Sequence, residues 1–368
     1  MTITGTILRT AIRMAVGAML AGGLAASAPA VATEDTATRA AFTAGPLTAA
    51  PGTMVSGFLD IAEGVDTGTK VPVTIAHGAK PGPVLALIAG THGYEYAPVI
   101  ALHRVRRALD PSLLSGTVIM VHVANMPSFM ERTVYRGPVD GKNLNRVYPG
   151  RADGTVSDRI AHAITAYVIA PADYVLDLHA GDGNEALRPY IYMPVTGDKA
   201  MDRAIRDMAL AFGLDHIVID DQRDMSARPT RYTDQTALVM GKPAITTETG
   251  QLGSVVEDWV GPAERGVWNI LRHFSMIPGT ATPVENPVWL TGYRVVTSPA
   301  DGVFIPAVRD GYAVAAGGRL GVLQNLFGEP VATIRAPFDG IVNYVVATPP
   351  VRRGEPLAMV SRRADPPD

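Results

Sequence analysis

The stretch Pro83-Val84-Leu85-Ala86-Leu87-Ile88-Ala89-Gly90-Thr91-His92-Gly93-Tyr94-Glu95 sets the architecture. Residues 83–89 carry no charge and read as a strand buried on both faces. Gly90 ends the strand, and residues 97–109 then space their apolar side chains as a helix does. Working outward, residues 71–75, 117–123, 173–179 and 244–250 read as further strands, and residues 158–169 and 200–212 as further helices. Strands alternating with helices predict an α/β fold with a mostly parallel central sheet and helices on both faces. Functional groups in such sheets gather at the carboxyl ends of strands, where His92, His179 and Glu248 all fall.

His92 and Glu95 lie three residues apart, close to one helical turn, so an imidazole nitrogen and a carboxylate oxygen can converge on one ion. Such a pair alone is more often structural. His179, at a distant strand end, supplies a third ligand, and a His/Glu/His set leaves one metal position open, as catalytic zinc sites do. Glu248 follows the apolar run 243–247, whose partial burial shapes its basicity for a general base, although a capping or salt-bridged residue would look the same. Asp177 points to the same side of its strand as His179 and is equally readable as a carboxylate that orients the imidazole or as a plain structural hydrogen-bonding group. Asn145 and Arg146, side by side in a polar loop, suit bidentate capture of a substrate carboxylate, with a solvent-facing turn as the bland alternative.

The 368 residues carry a formal charge of −3, with no basic run or aromatic-interleaved basic stripe, which argues against a nucleic-acid partner. Arg9 and Arg13 precede an uncharged Ala/Gly/Leu-rich run, and the small-x-small sequences at 28–30 and 30–32 offer cleavage sites. Residues 1–32 are therefore expected to be a signal peptide of a periplasmic or secreted protein, with no stable membrane span once it is removed. The absence of cysteine excludes disulfides and a thiol nucleophile. No Gly-x-Ser-x-Gly elbow points to a serine hydrolase.

After a lead-in at 33–70 and the domain at 71–283, the texture changes over 284–362 to short β-rich pieces punctuated by Gly and Pro, ending in a tail at 363–368. This β-domain resembles the flattened barrel of biotinyl and lipoyl carriers. Those modules carry their cofactor on a lysine, whereas the last lysine here is Lys242, so a structural or site-shaping role is expected instead.

Taken together, Gly90-x-His92-Gly93-x-Glu95, Asn143-Leu144-Asn145-Arg146-x-Tyr148-Pro149-Gly150, Asp177-Leu178-His179 and Thr247-Glu248-Thr249-Gly250 resemble, in order, the motifs of the succinylglutamate desuccinylase and aspartoacylase family, a branch of the zinc carboxypeptidase superfamily. The resemblance runs from about residue 71 to the C-terminus and includes the trailing β-domain. It implies one Zn2+ per chain on His92, Glu95 and His179, Glu248 as general base and acid, and Asn145 and Arg146 as the substrate-carboxylate clamp. It also implies an upstream arginine that polarises the scissile carbonyl, a role for which Arg132 and Arg136 compete, with Arg136 favoured. Asn143 stands where many relatives have Asp, and Arg228 or Arg231 would supply a further basic residue before the base.

The expected reaction is hydrolysis of the amide in an N-acyl amino acid or related small carboxylate. A periplasmic metallocarboxypeptidase or amidase acting on peptides or cell-wall fragments is the alternative of similar chemistry. A non-catalytic ligand-binding protein is the alternative of another class. Loops at 182–188 and 220–236 are expected to set selectivity, and the sequence is compatible with a homo-oligomer.

Overall fold

The structure, a computed structural model, describes residues 39–367; the expected signal peptide at 1–32 lies outside them. A 13-stranded sheet organises these residues. At its centre Ser115–Val121, Lys80–Ala89, Tyr174–His179 and Ala244–Glu248 run parallel in that spatial order. Their apolar side chains, among them Leu85, Leu87, Ile88, Val118, Ile119, Leu176 and Ile245, are fully buried, as strands covered on both faces require.

The expectation of a mostly parallel sheet needs correcting, because the sheet is mixed. Tyr190–Pro194 lies antiparallel to Ala244–Glu248 yet parallel to His216–Asp220, and Thr69–His77 and Thr53–Ile61 add antiparallel strands at one edge. An apolar run reports burial on two faces but not the direction of the neighbouring strand, so this feature had no local signal. The lead-in also contributes more than a linker: Phe42–Ala44 and Leu47–Ala49 pair with each other, and Thr53–Ile61 is part of the main sheet.

The longer helices fall into two groups. Tyr96–Ala108, Lys199–Phe212 and Glu257–His273 pack together, while Val156–Ile164, its π-helical extension Thr165–Ile169, and Thr233–Val239 form the second. Lys199–Phe212 shows why the chain is helical there: the Asp198 side chain accepts from the amides of Ala200 and Met201, and Gly213 at φ 93° closes the other end. Among the described residues, no helix is long and apolar enough to cross a membrane.

The C-terminal β-region is stitched into the main sheet. Val288–Thr297 pairs on one side with His216–Asp220 and on the other with Pro356–Arg363, which in turn pairs with Gly340–Val346. Gly340–Val346 also pairs with Glu185–Leu187 from the α/β part. Gly302–Pro306, Arg319–Gln324, Pro330–Arg335 and Pro350–Val351 make a separate four-stranded sheet. Phe304, Leu323 and Ile334 of that sheet share one buried cluster with Val342, Val345 and Val360 of the large one, so the two sheets face each other across a common core.

Candidate active site

Gly90 turns the chain sharply after Lys80–Ala89. Its φ is +70°, and a Cβ there would come within 2.9 Å of the Val123 backbone, so only glycine fits. The turn places His92 beyond the strand and Glu95 at the N-cap of Tyr96–Ala108. His179 ends Tyr174–His179, whose Leu178 is in register with Ala89. The three side chains are buried, and their potential ligand atoms lie within 4.8 Å of one another. His92 Nδ1 is 2.7 Å from Glu95 Oε1, and His179 Nδ1 is 2.9 Å from Glu95 Oε2.

These groups form an electrostatic socket for a cation. Burial alone would raise the Glu95 pKa, but the two imidazoles outweigh it and hold the carboxyl at about 2. Burial likewise opposes charge on the imidazoles, yet Glu95 raises His92, and Asp177 with Glu95 raises His179. Asp177 is fully buried, 3.1 Å from His179 Nε2, with neither carboxylate oxygen aligned in a hydrogen bond. Glu95 Oε2 is also buried without an aligned donor. Two imidazoles and a carboxylate with an unsatisfied buried oxygen fit a divalent metal of the zinc type.

Glu248 is half-buried and pairs in register with His179 on the neighbouring parallel strand. Burial raises its pKa well above the usual glutamate range, the charges of Glu95, Glu185 and Asp177 add to this, and His179 opposes it.

Asn143 Oδ1 lies 3.1 Å from His92 Nε2 and accepts from the Asn145 amide at 2.8 Å. Asn145 is buried; its Oδ1 accepts from the Thr233 amide at 2.9 Å, and its Nδ2 lies 3.4 Å from His179 Nε2. Arg146 is exposed, with its guanidinium 4.7 Å from the Tyr232 ring centroid. Arg223 lies 4.8 Å from the same centroid and is fixed by Asp220 and Asp234.

Other expected groups are placed elsewhere. Arg136 is exposed and donates to the Gly141 carbonyl at 3.1 Å, and Arg132 is the exposed left-handed residue that ends helix Met126–Glu131. Arg228 is exposed and donates to the carbonyls of Met225 and Ala227. Arg231 is exposed too, whereas Arg223 is largely covered and paired with Asp220 and Asp234.

Three groups near the metal set were not legible as site residues. Tyr135 donates its hydroxyl to Glu185 Oε1 at 2.6 Å, and its ring stands edge-on to that of His92 at 6.0 Å. Tyr344, buried on strand Gly340–Val346, lies within electrostatic reach of Glu185, Glu248 and Arg146. The third group is Glu185 itself, which opens strand Glu185–Leu187 shortly after His179. Its nearest sequence signal is the Gly-flanked acidic run Gly181-Asp182-Gly183-Asn184-Glu185.

Burial, with Asp182 and Glu95 adding like charge, raises the Glu185 carboxyl from 4.5 to about 7. A carboxyl raised on folding binds its proton more tightly in the native state, so its stabilising contribution is present below pH 4.5 and is lost as pH rises through about 7. In metal-free protein this one group should cost roughly 3 kcal/mol across that window, beside contributions of the same sign from Asp177, Asp182 and Glu248. Glu185→Gln should flatten the decline in denaturant titrations at stepped pH; an unchanged slope would place the titration on another group.

A model of the succinylglutamate desuccinylase/aspartoacylase catalytic domain matches residues 81–274. The chain belongs to this family. Its relatives include the N-alpha-acetyl-L-2,4-diaminobutyric acid deacetylase of Halomonas elongata, 29% identical over 299 residues that cover 79% of this chain and 85% of the relative. Among solved family structures, the product-bound ectoine utilization protein EutE (DoeB) of Ruegeria pomeroyi aligns with TM-score 0.76 and 28% identity, over 84% of this chain and 95% of that one. The family protein of Rhodobacter sphaeroides aligns with TM-score 0.75 and 26% identity, over 84% and 96%.

Proposed function

We propose that this family member is an exported, zinc-dependent deacylase that hydrolyses the amide of a small N-acyl amino acid. The observation that carries the reading is the juxtaposition of the buried His92, Glu95 and His179 group with Glu248, one strand over and in register with His179. A bound zinc would supply Lewis acidity that acidifies water and polarises a carbonyl. Glu248 then takes a proton from the attacking water and returns it to the departing amine, so acid and amino acid leave as separate products. Arg146, exposed and packed on Tyr232, offers its fork to the substrate carboxylate. Tyr344 comes within electrostatic reach of Glu185, Glu248 and Arg146 from the strand paired with 185–187, a bulk beside the site that would favour small substrates over long peptides.

The relative from Halomonas elongata makes N-acetyl-2,4-diaminobutyrate the first compound to assay. Purified protein loaded with zinc should release free amine from one or more members of an N-acyl amino acid panel and little from dipeptides. Release from peptides alone would favour the carboxypeptidase reading, and no release from either would favour a binding protein. Arg146→Ala should lower kcat/KM by about 10²-fold while metal content stays at the wild-type level. Arg146→Lys should recover little of this, since an ammonium lacks the planar fork. Full activity of the alanine variant on carboxylate-bearing substrates would remove Arg146 from the clamp.

A further inference from the structure

Three consecutive residues, Tyr232, Thr233 and Asp234, each meet a different partner around the carboxylate clamp. The Arg146 guanidinium lies over the Tyr232 ring, 4.7 Å from its centroid. The Thr233 amide and hydroxyl donate to Asn145 Oδ1 at 2.9 and 3.2 Å. Asp234 pairs with Arg223, whose guanidinium lies over the same Tyr232 ring at 4.8 Å. We infer that Arg223, locked by Asp220 and Asp234, positions the Arg146 fork for the substrate carboxylate through the Tyr232 ring that both guanidinium groups share. Arg223 is thus a positioning residue, acting through Arg146 and touching no substrate itself. This assignment rests on the deacylase reading and deepens it.

Charge decides which arginine is the support and which the clamp. Each cation is drawn to the ring, but two cations beside one ring repel each other unless one of them is compensated. Arg223 is compensated twice. Its Nε donates to Asp220 Oδ2 at 2.9 Å, its Nη2 lies 2.7 Å from the same oxygen, and its Nη1 donates to Asp234 Oδ1. Both carboxylates are fully buried, so this arrangement is fixed. Arg146 is exposed and donates through Nη1 to the Asn145 carbonyl at 2.7 Å. Among the described residues no Asp or Glu oxygen lies within 4.0 Å of its guanidinium nitrogens, which leaves its charge for an acid supplied by the substrate.

The same contacts tie carboxylate capture to the general base. Asp234 Oδ2 accepts from Thr246 Oγ1 at 2.8 Å, and Thr246 stands two residues before Glu248 on strand Ala244–Glu248. Asp220 ends strand His216–Asp220, and its Oδ1 accepts from the Tyr293 hydroxyl at 3.3 Å. Arg223 therefore joins groups anchored to two strands of the main sheet, and the platform under Arg146 takes its place from the sheet. An arginine side chain left to itself samples many rotamers, and ordering it when substrate binds lowers affinity. A planar support referenced to the strand of Glu248 removes part of that cost and holds the carboxylate at a set distance from the reacting amide.

A double-mutant cycle on the zinc-loaded full chain tests the proposal, with an N-acetyl amino acid and its carboxamide, whose carboxylate is replaced by a neutral amide, as paired substrates. Arg223→Gln should lower kcat/KM for the acid about tenfold, mostly through KM, and for the carboxamide less than about twofold. In an Arg146→Ala background the same substitution should change kcat/KM for the acid less than about twofold, because the group it positions is gone. A merely structural arginine would slow both substrates alike, and that result overturns the proposal. So does a loss in the Arg146→Ala background equal to the loss in wild type. If Arg223→Gln misfolds, Tyr232 decides: Tyr232→Leu should lose more kcat/KM on the acid than Tyr232→Phe, which keeps the ring, and equal losses overturn the platform. Absence of wild-type turnover on both substrates would instead sink the deacylase reading. The cycle is then read in calorimetric binding of the N-acetyl amino acid, where additive losses, or no binding to the wild-type chain, overturn the assignment.

Discussion

Glu248→Gln is expected to lower kcat by about 10³-fold while zinc content and folded structure are unchanged, within the range that positioned general bases contribute. The substitution keeps shape and removes only the capacity to carry a proton. Glu248 lies beside His179 across a parallel strand pair, so its backbone position is fixed by the sheet and survives the change. The pH profile gives an independent readout. Burial and neighbouring carboxylates raise the Glu248 pKa, and a base must be ionised to act, so kcat/KM should rise with pH along a limb above the ordinary glutamate range. The residual activity of the variant should lack that limb. A variant with wild-type kcat, or one that keeps the same acid limb, would show that another group moves the proton.

His179→Ala should abolish both tight metal binding and turnover, with kcat/KM down by at least about 10⁴-fold, more than the loss of any single proton carrier. The variant removes one of the three proposed ligands and also leaves Glu95 and Asp177 buried without the imidazole that faces them both. Thermal unfolding separates the two consequences. Zinc added to wild-type protein at about 100 times its Kd should stabilise it by about 2.7 kcal/mol, because only the native chain assembles the ligands. His179→Ala should unfold at a lower temperature than wild type and should barely respond to zinc. A zinc-dependent rise in Tm equal to that of wild type would place the metal elsewhere.

How far the site could be read from sequence follows from how local each constraint is. The strand at 80–89, the Gly90 turn and the helix after Glu95 are neighbours along the chain, and burial, glycine and apolar period each leave a mark there. His179 and Glu248 end recognisable strands, so their approach follows from one sheet. Strand direction left no such mark, and the mixed sheet had to be seen. Tyr135 and Arg136 are adjacent in sequence, yet Tyr135 is tied to Asp182 and Glu185 of a distant segment while Arg136 is exposed, a difference that no local pattern records. Arg223 is picked out from Arg228 and Arg231 by its contacts with Asp220 and Asp234, which no periodicity records. Tyr344 reaches the site because Gly340–Val346 pairs with Glu185–Leu187, a contact between segments far apart in the sequence.

That last pairing also bears on timing. The strand holding Tyr344 leaves the ribosome long after His92, Glu95, His179 and Glu248, so all four of those side chains can exist in a chain whose 185–187 segment is still unpaired. An interrupted or clipped product retains the His92, Glu95 and His179 group and Glu248 while Glu185–Leu187 lacks its partner strand. The groups of the candidate site thus come early in the chain, and the strand that fixes the segment carrying Glu185 comes late.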